Sequence, residues 1–284
     1  MSSLPHVPIW PGDKNVRGAG PYRVNAFSSC PQLEGFNYEA KLTPLMEKDA
    51  LPIGSLGHAA LAYHYGARLP VRPAWMVYAN PYDAIEKLGN AINRQDLIDL
   101  CKGIYAWYAH QYQNDAWTPV LVEHQFQWKL GEDFFTCRTD LIAMEYGDLI
   151  LADHKIKGTL PRSTGSSLSM DRQMLTNLVL ARANGYDIKR VYINGITRGG
   201  KPTPLSTPTF GRFAVPVSIE AFNHFAQDTA YYLAQRAAVK KAFPDPMNRP
   251  RNTNACYTPY GACEFKPLCE DGPSRLVEFR VREY

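Results

Sequence analysis

No apolar run in this 284-residue sequence approaches the roughly 20 residues needed to cross a bilayer, which excludes a membrane-spanning helix and a membrane partner. The opening residues lack the charged start and apolar stretch of a secretory signal. Pro5, Pro8, Pro11 and Asp13 stand there instead, and the expectation is a cytoplasmic protein. Internal repeats and low-complexity tracts are absent, so neither a solenoid nor a disordered tail is expected. No charge sign dominates: a net charge of +4 and a pI near 8.6 tolerate a polyanionic partner without requiring one. Cysteine is scarce, with six residues and no C-x2-C pair. In a reducing compartment those six argue against disulfides and toward metal or cluster binding.

What remains is ordinary globular material, 45% hydrophobic and 20% charged, enough to bury a full core as one elaborated domain over 1–284. Proline and glycine over residues 1–24 read as an arm, with a helix or turn starting near Ser28-Ser29-Cys30-Pro31. Leu56, Ala60 and Tyr63 are spaced for a helix over 54–65, and a second is predicted over about 95–113. Val120, Val122, His124 and Phe126 then alternate with polar neighbours, and 134–146 and 148–155 also read as strands, together an antiparallel meander. A small-residue loop over 163–169, a helix over 170–183 and a strand over 188–197 imply a crossover onto the same sheet. A long helix capped by Ser218 ends near Ala242, before Pro244, Pro246 and Pro250. The fold class is therefore α/β.

Asp140 lies within the second strand and Asp153-His154-Lys155 ends the third, so adjacent strands can bring two carboxylates and one amine to one sheet edge. Such a set suits Mg²⁺, a hard ion that takes carboxylate and carbonyl oxygens and keeps several waters. The ion would offset charge on a phosphoryl group and lower the pKa of its bound water, with Lys155 orienting or deprotonating that water. Asp-x-Lys is also a common solvated strand end, so the motif alone is weak. Near Lys102, the aromatics Tyr105, Trp107 and Tyr108 could stack on the bases of a single strand, although most read as core.

Cys256, Cys263 and Cys269 form a C-x6-C-x5-C array among turn residues, and Cys30 lies far upstream. Four soft thiolates suit either an iron-sulfur cluster or Zn²⁺, while Cys101 and Cys137, inside a predicted helix and strand, read as small buried hydrophobes.

Taken in order, Gly54-Ser55-Leu56-Gly57-His58, Asp140, Asp153-His154-Lys155 and Gln173 resemble the motifs of RecB-like nucleases of the PD-(D/E)XK superfamily. One N-terminal cysteine with three C-terminal ones resembles the iron-sulfur subgroup, which includes CRISPR adaptation exonucleases and phage-encoded relatives. The resemblance spans roughly 22–270. It implies a restriction-endonuclease-like mixed sheet flanked by helices, with a helical region over 54–115 inserted ahead of a catalytic core over 118–200. A cysteine-rich C-terminal lobe over 245–284 would close onto Cys30.

By that resemblance His58, Asp140, Asp153 and the main-chain carbonyl of His154 hold Mg²⁺ or Mn²⁺, Lys155 assists the water, and Gln173 positions water or DNA. Glu123 matches an acidic position on the preceding strand. Two positions depart from the family pattern: Asn177 replaces a tyrosine one turn after the glutamine, and Ile156 replaces a threonine, which shifts a phosphate contact toward Lys157. Cys30, Cys256, Cys263 and Cys269 would hold a [4Fe-4S] cluster, with Zn²⁺ as the second choice. The implied activity is a metal-dependent DNA exonuclease acting on duplex ends or single strands, in recombination, repair or CRISPR precursor processing, with partner proteins of those pathways. Two other classes stay open: a catalytically silent nuclease-like subunit that binds DNA or a partner, and a zinc-stabilised interaction module.

Overall fold

Proline sets the first helices. Pro21 and Pro31 open α1 (Pro21–Ser29) and α2 (Pro31–Glu34), positions where a missing N–H removes no helical bond, and Cys30 lies extended between them. This is a computed structural model describing residues 20–45, 50–130, 133–161, 163–198, 207–258 and 261–282. Most of the arm expected over 1–24 lies outside the described residues. After α2 a π-helical turn (Gly35–Glu39) leads to β1 (Leu42–Pro44). Then follow α3 (Ala50–Gly66), α4 (Pro81–Ala91), α5 (Gln95–Gln111), β2 (Thr118–Leu130), β3 (Asp133–Glu145), β4 (Asp148–Lys157), the short α6 (Thr164–Ser167), α7 (Arg172–Ala183), β5 (Ile188–Thr197) and β6 (Thr209–Ala214). The chain ends with α8 (Ile219–Ala242), β7 (Tyr257–Thr258), β8 (Gly261–Ala262), α9 (Lys266–Asp271) and β9 (Phe279–Val281).

The chain divides into two units. The first holds residues 50–128 and 136–221 of the described chain, with α3 to α5, the five-stranded sheet β2-β3-β4-β5-β6, α6 and α7. β3 and β4 pair antiparallel, whereas β4 and β5 pair parallel and are joined through α7, the expected crossover. The sheet is therefore mixed, and with its flanking helices it matches the α/β, restriction-endonuclease-like expectation. Leu56, Ala60, Tyr63, Ile98, Ile104 and Tyr108 from the helices pack with Leu141, Ala143, Ile150 and Ala152 from the strands in one buried core. Tyr105 and Tyr108 belong to that core, so of the three aromatics near Lys102 only Trp107, 47% exposed, faces solvent.

Three elements escape the periodicity argument. α4 is announced by its cap, since Asn80 accepts a hydrogen bond from Asp83 N and Pro81 opens the helix. α6 is one helical turn inside the stretch expected as a loop. β6 lacks an apolar alternation, and pairing with β5 from Tyr192↔Ala214 to Thr197↔Thr209 makes it a strand.

The second unit holds residues 20–45 and 222–282 with a short piece around 133–135. Phe36, Leu42, Phe265, Leu268 and Phe279 form its small core, and β1 pairs with β9. Its densest interactions are ionic. Glu34, fully buried, is bonded by Arg23 (2.6 Å), Arg236 (3.0 Å) and Arg249, and Glu39 is bonded by Arg23, Arg236, Lys240 and Arg249. Burial pushes the Glu39 carboxyl up, but Lys240 and Arg249 outweigh it and hold the group below the usual carboxylate range.

Candidate active site

α3 packs closely on β4: a Cβ on Gly57 would meet Ile156 Cδ1, the end of a side chain that would have to turn away, and the neighbouring His58 reaches the strands. His58 Nδ1 lies 3.5 Å from Asp140 Oδ2, which also accepts the main-chain N–H of His154 at 2.7 Å. Continued by one pair beyond Leu141↔Ala152, the β3–β4 register sets Asp140 opposite Asp153. Asp153 is fully buried and bonded by Lys155 Nζ at 2.7 Å and Gln173 Nε2 at 2.8 Å. Gln173 Oε1 accepts from Lys155 Nζ at 2.9 Å and closes a triangle of carboxylate, ammonium and amide. Asp171 starts the helix carrying Gln173 by capping Met174 N at 3.1 Å.

Glu123 has a larger part than its sequence position suggested. Its backbone is left-handed, φ 48°, inside a strand, a conformation that costs about 1–3 kcal/mol for a residue with a side chain. Among the described residues, one ligand atom each from His58, Glu123 and Asp140 lie within 4.8 Å of one another, close enough to share one ion. Burial, reinforced by the Asp140 charge, raises the Glu123 carboxyl well above its ordinary value. Burial and then Asp140 likewise push Asp153 up to about 6, against the pull of Lys155. Glu123 and Asp153 thus sit buried near the Asp140 charge, where a carboxylate is poorly tolerated without a cation. That is the fit a divalent ion requires, from a hard donor set. The sequence-named residues therefore fall into two linked groups, His58 with Asp140 and Glu123, and Asp153 with Lys155 and Gln173.

Burial depresses the His154 imidazole to about 3, so its ring is neutral. Lys157 is exposed at the end of β4. Asn177, 1% exposed, is out of reach of a DNA strand, and its Nδ2 and Oδ1 have no partner among the described residues. Arg138 was not anticipated. Two residues before Asp140 on the same strand face, it moderates Glu123, and its Nε is buried without a partner among the described residues. The period-2 spacing from Asp140 is the signal that could have found it.

In the second unit Cys30, Cys256, Cys263 and Cys269 all line one cavity of about 290 Å³, with Phe36, Phe265 and Arg251 in its wall. Asn252 N donates to Cys30 Sγ at 3.4 Å, Cys263 N to Cys256 O at 2.8 Å, and Arg251 Nη1 to Cys269 O at 3.0 Å. Burial raises the Cys263 and Cys269 thiols. Cys101 and Cys137 lie apart in the first unit, each pushed up to about 12 by burial, as inert core thiols.

A family model described as the PD-(D/E)XK nuclease superfamily matches residues 20–270. The crystal structure of a Eubacterium rectale protein, whose name carries a provisional exonuclease assignment, superposes with a TM-score of 0.58 at 10% identity, over 97% of this chain and 95% of that one. At that identity the likeness speaks for the fold alone. The structure of SSO0001 covers 74% of this chain and 84% of its own at 10% identity, with a TM-score of 0.29, too loose to bear on the argument. No curated protein matches in sequence.

Proposed function

The chain belongs to the PD-(D/E)XK nuclease superfamily, and from that premise we propose that it is a metal-dependent DNA exonuclease acting on DNA ends. The observation that carries this reading is the gathering of His58, Glu123 and Asp140 within reach of one ion, beside the buried Asp153–Lys155 pair on the neighbouring strand. His58, Asp140 and Asp153 would hold Mg²⁺ or Mn²⁺ with the His154 carbonyl, and Glu123 would complete the set. When bound, the ion offsets charge on the phosphoryl oxygens and acidifies a coordinated water. The protein supplies the rest. Lys155, held by Asp153 and Gln173, would direct its ammonium to the attacking water or the scissile phosphate, and Gln173 bonds both Lys155 and Asp153 through opposite ends of one amide.

The four cysteines support a [4Fe-4S] cluster as a structural group. A tetrahedral zinc site with Zn–S near 2.3 Å would draw four sulfurs to roughly 3.8 Å from one another. The thiols here surround a cavity of about 290 Å³ instead. A larger group bound by soft ligands fits that space, and its loss would loosen the turns that carry it.

The test is anaerobic purification followed by incubation of wild type and Asp153→Ala with end-labelled single- and double-stranded DNA and Mg²⁺ or Mn²⁺. We expect metal-dependent shortening by the wild type and a loss of about 10³-fold or more in the variant. Binding of DNA by the wild type with no shortening under any metal would replace the exonuclease with a non-cutting subunit. Iron and acid-labile sulfide in the same sample, with broad visible absorbance, would support the cluster, and stoichiometric zinc in their place would overturn it.

A further inference from the structure

A line of buried polar groups runs behind the metal-site strands, and its hydrogen bonds point one way. Asp115, accepting only, takes a hydrogen bond from Tyr65 Oη at 2.9 Å and an ion pair from Arg212 at 2.7 Å. With its proton committed to Asp115, Tyr65 Oη must accept from Tyr108 Oη at 2.6 Å. Tyr108 Oη in turn accepts from Asn194 Nδ2 at 2.8 Å, and the same amide nitrogen reaches His154 Nδ1 at 2.9 Å. The donor order fixed at Asp115 therefore makes His154 Nδ1 an acceptor. Arg212 anchors the far end, its guanidinium 3.4 Å from the ring centroid of Trp117 and 4.3 Å from that of Tyr112.

His154 is held on its edge and on its face. Asn194 is its register partner on β5, and the Tyr65 ring stacks on it at 5.7 Å with an interplanar angle of 11°. The main chain of that same residue donates to Asp140. The arrangement leaves Asn194 Oδ1 and His154 Nε2 buried without a partner among the described residues. A pair of apolar side chains at these two strand positions would avoid that desolvation, so stability alone gives no reason for a polar pair here.

We infer that Asn194 and Tyr65 are positioning residues for metal binding: by clamping the His154 side chain they fix the main chain of that residue, whose N–H holds Asp140 and whose carbonyl, in the next peptide, would be offered to the ion. This rests on the metal reading of the site, not on cutting. Partners at this remove from a metal typically alter its affinity about 10- to 100-fold.

The experiment is a Mn²⁺ titration followed by electron paramagnetic resonance of the free ion, on wild type, Asn194→Leu and Tyr108→Phe, with cleavage assayed across the same Mn²⁺ range. Asn194→Leu should bind Mn²⁺ about 10- to 100-fold more weakly and regain cleavage at saturating Mn²⁺. Tyr108→Phe, which removes only the hydroxyl that orients the amide, should show a smaller weakening in the same direction. A residue with a merely structural part would lower the melting temperature and leave Mn²⁺ affinity where it was, and that result overturns the inference. Should Asn194→Leu fail to fold, unchanged Mn²⁺ affinity in Tyr108→Phe overturns it equally. A wild type that binds no Mn²⁺ removes the metal reading and this inference together. A wild type that binds and cuts, beside folded variants that bind equally well, removes the inference alone.

Discussion

Glu123, Asp140 and Asp153 stand on three neighbouring strands of one sheet, whereas of the four thiols of the second unit Cys30 lies between two helices, Cys256 ends a 3-10 turn, Cys263 follows the two-residue β8 and Cys269 lies in the short α9. The acids of the first unit are carried on strands in register with a buried polar line behind them, and burial raises the Glu123 and Asp153 carboxyls. The second has few backbone ladders of its own and is tied down by ion pairs around Glu34 and Glu39. On the proposed reading, a site built on long strands would be organised before its ion arrives, while one built on turns would depend on its group and on neighbouring ionic ties for shape.

The largest effect that would break this contrast lies in the second unit. Glu34→Gln removes one charge from a fully buried cluster and leaves Arg249, itself only 3% exposed, short of its partner. Breaking such a pair costs about 3–5 kcal/mol, because the remaining charge is left uncompensated away from water. Urea unfolding should show that loss, with hydrogen exchange accelerated around Cys30 and Cys256, while Mn²⁺ affinity of the first unit stays at the wild-type value. A loss below about 1 kcal/mol would mean that the turns hold themselves and that the contrast is overdrawn.

Proton competition sharpens the same contrast with a smaller effect. Asp153 is raised to about 6 from an ordinary 3.8, first by burial and then by the Asp140 charge. The folded metal-free protein holds this proton more tightly than the unfolded chain does. The stability it contributes is complete below about pH 4 and is lost as pH rises through about 6. A cation must displace that proton, so Mn²⁺ affinity should fall about tenfold per unit below about pH 6 and level off above it. Asp153→Asn should flatten the profile. The buried thiols Cys263 and Cys269 are raised above their ordinary value, so loading of the cysteine region should go on improving into alkaline solution where the acid site has levelled. A flat Mn²⁺ profile between pH 5 and 8 would remove the crowded carboxylates from the account.

How far the sequence could be read follows the same division. The strand carrying Asp140, the strand ending in Asp153-His154-Lys155 and the crossover to Ile188–Thr197 were legible because period 2 and period 3.6 are local properties. The four cysteines expected to hold one cluster do line one cavity, but among the described residues they are not a group whose ligand atoms lie within 4.8 Å of one another. The weight of Glu123 was not, because its left-handed backbone is imposed by the packed sheet and leaves no mark in a strand pattern. Nor was the line from Asp115 to His154, which joins residues up to 86 positions apart. Asn177 was legible as a departure from the family's tyrosine, but its burial was not, because it depends on the packing of α7, which no spacing reports.

The smallest effect concerns Gln173, and it tests whether the strand-built site is as independent of its helix as the register implies. Its amide joins Asp153 Oδ1 at 2.8 Å to Lys155 Nζ at 2.9 Å, yet those two groups also meet directly at 2.7 Å. Removing the amide therefore leaves the ion pair in place and frees only the orientation of the ammonium. Gln173→Ala should lower kcat about 5- to 10-fold, roughly 1 kcal/mol, the worth of one net hydrogen bond, with Mn²⁺ affinity little changed. A loss as large as that of Asp153→Ala would show that α7, not the strand register alone, sets the geometry of the site. No loss at all would show that the Asp153–Lys155 contact suffices and that Gln173 acts on neither the water nor the DNA.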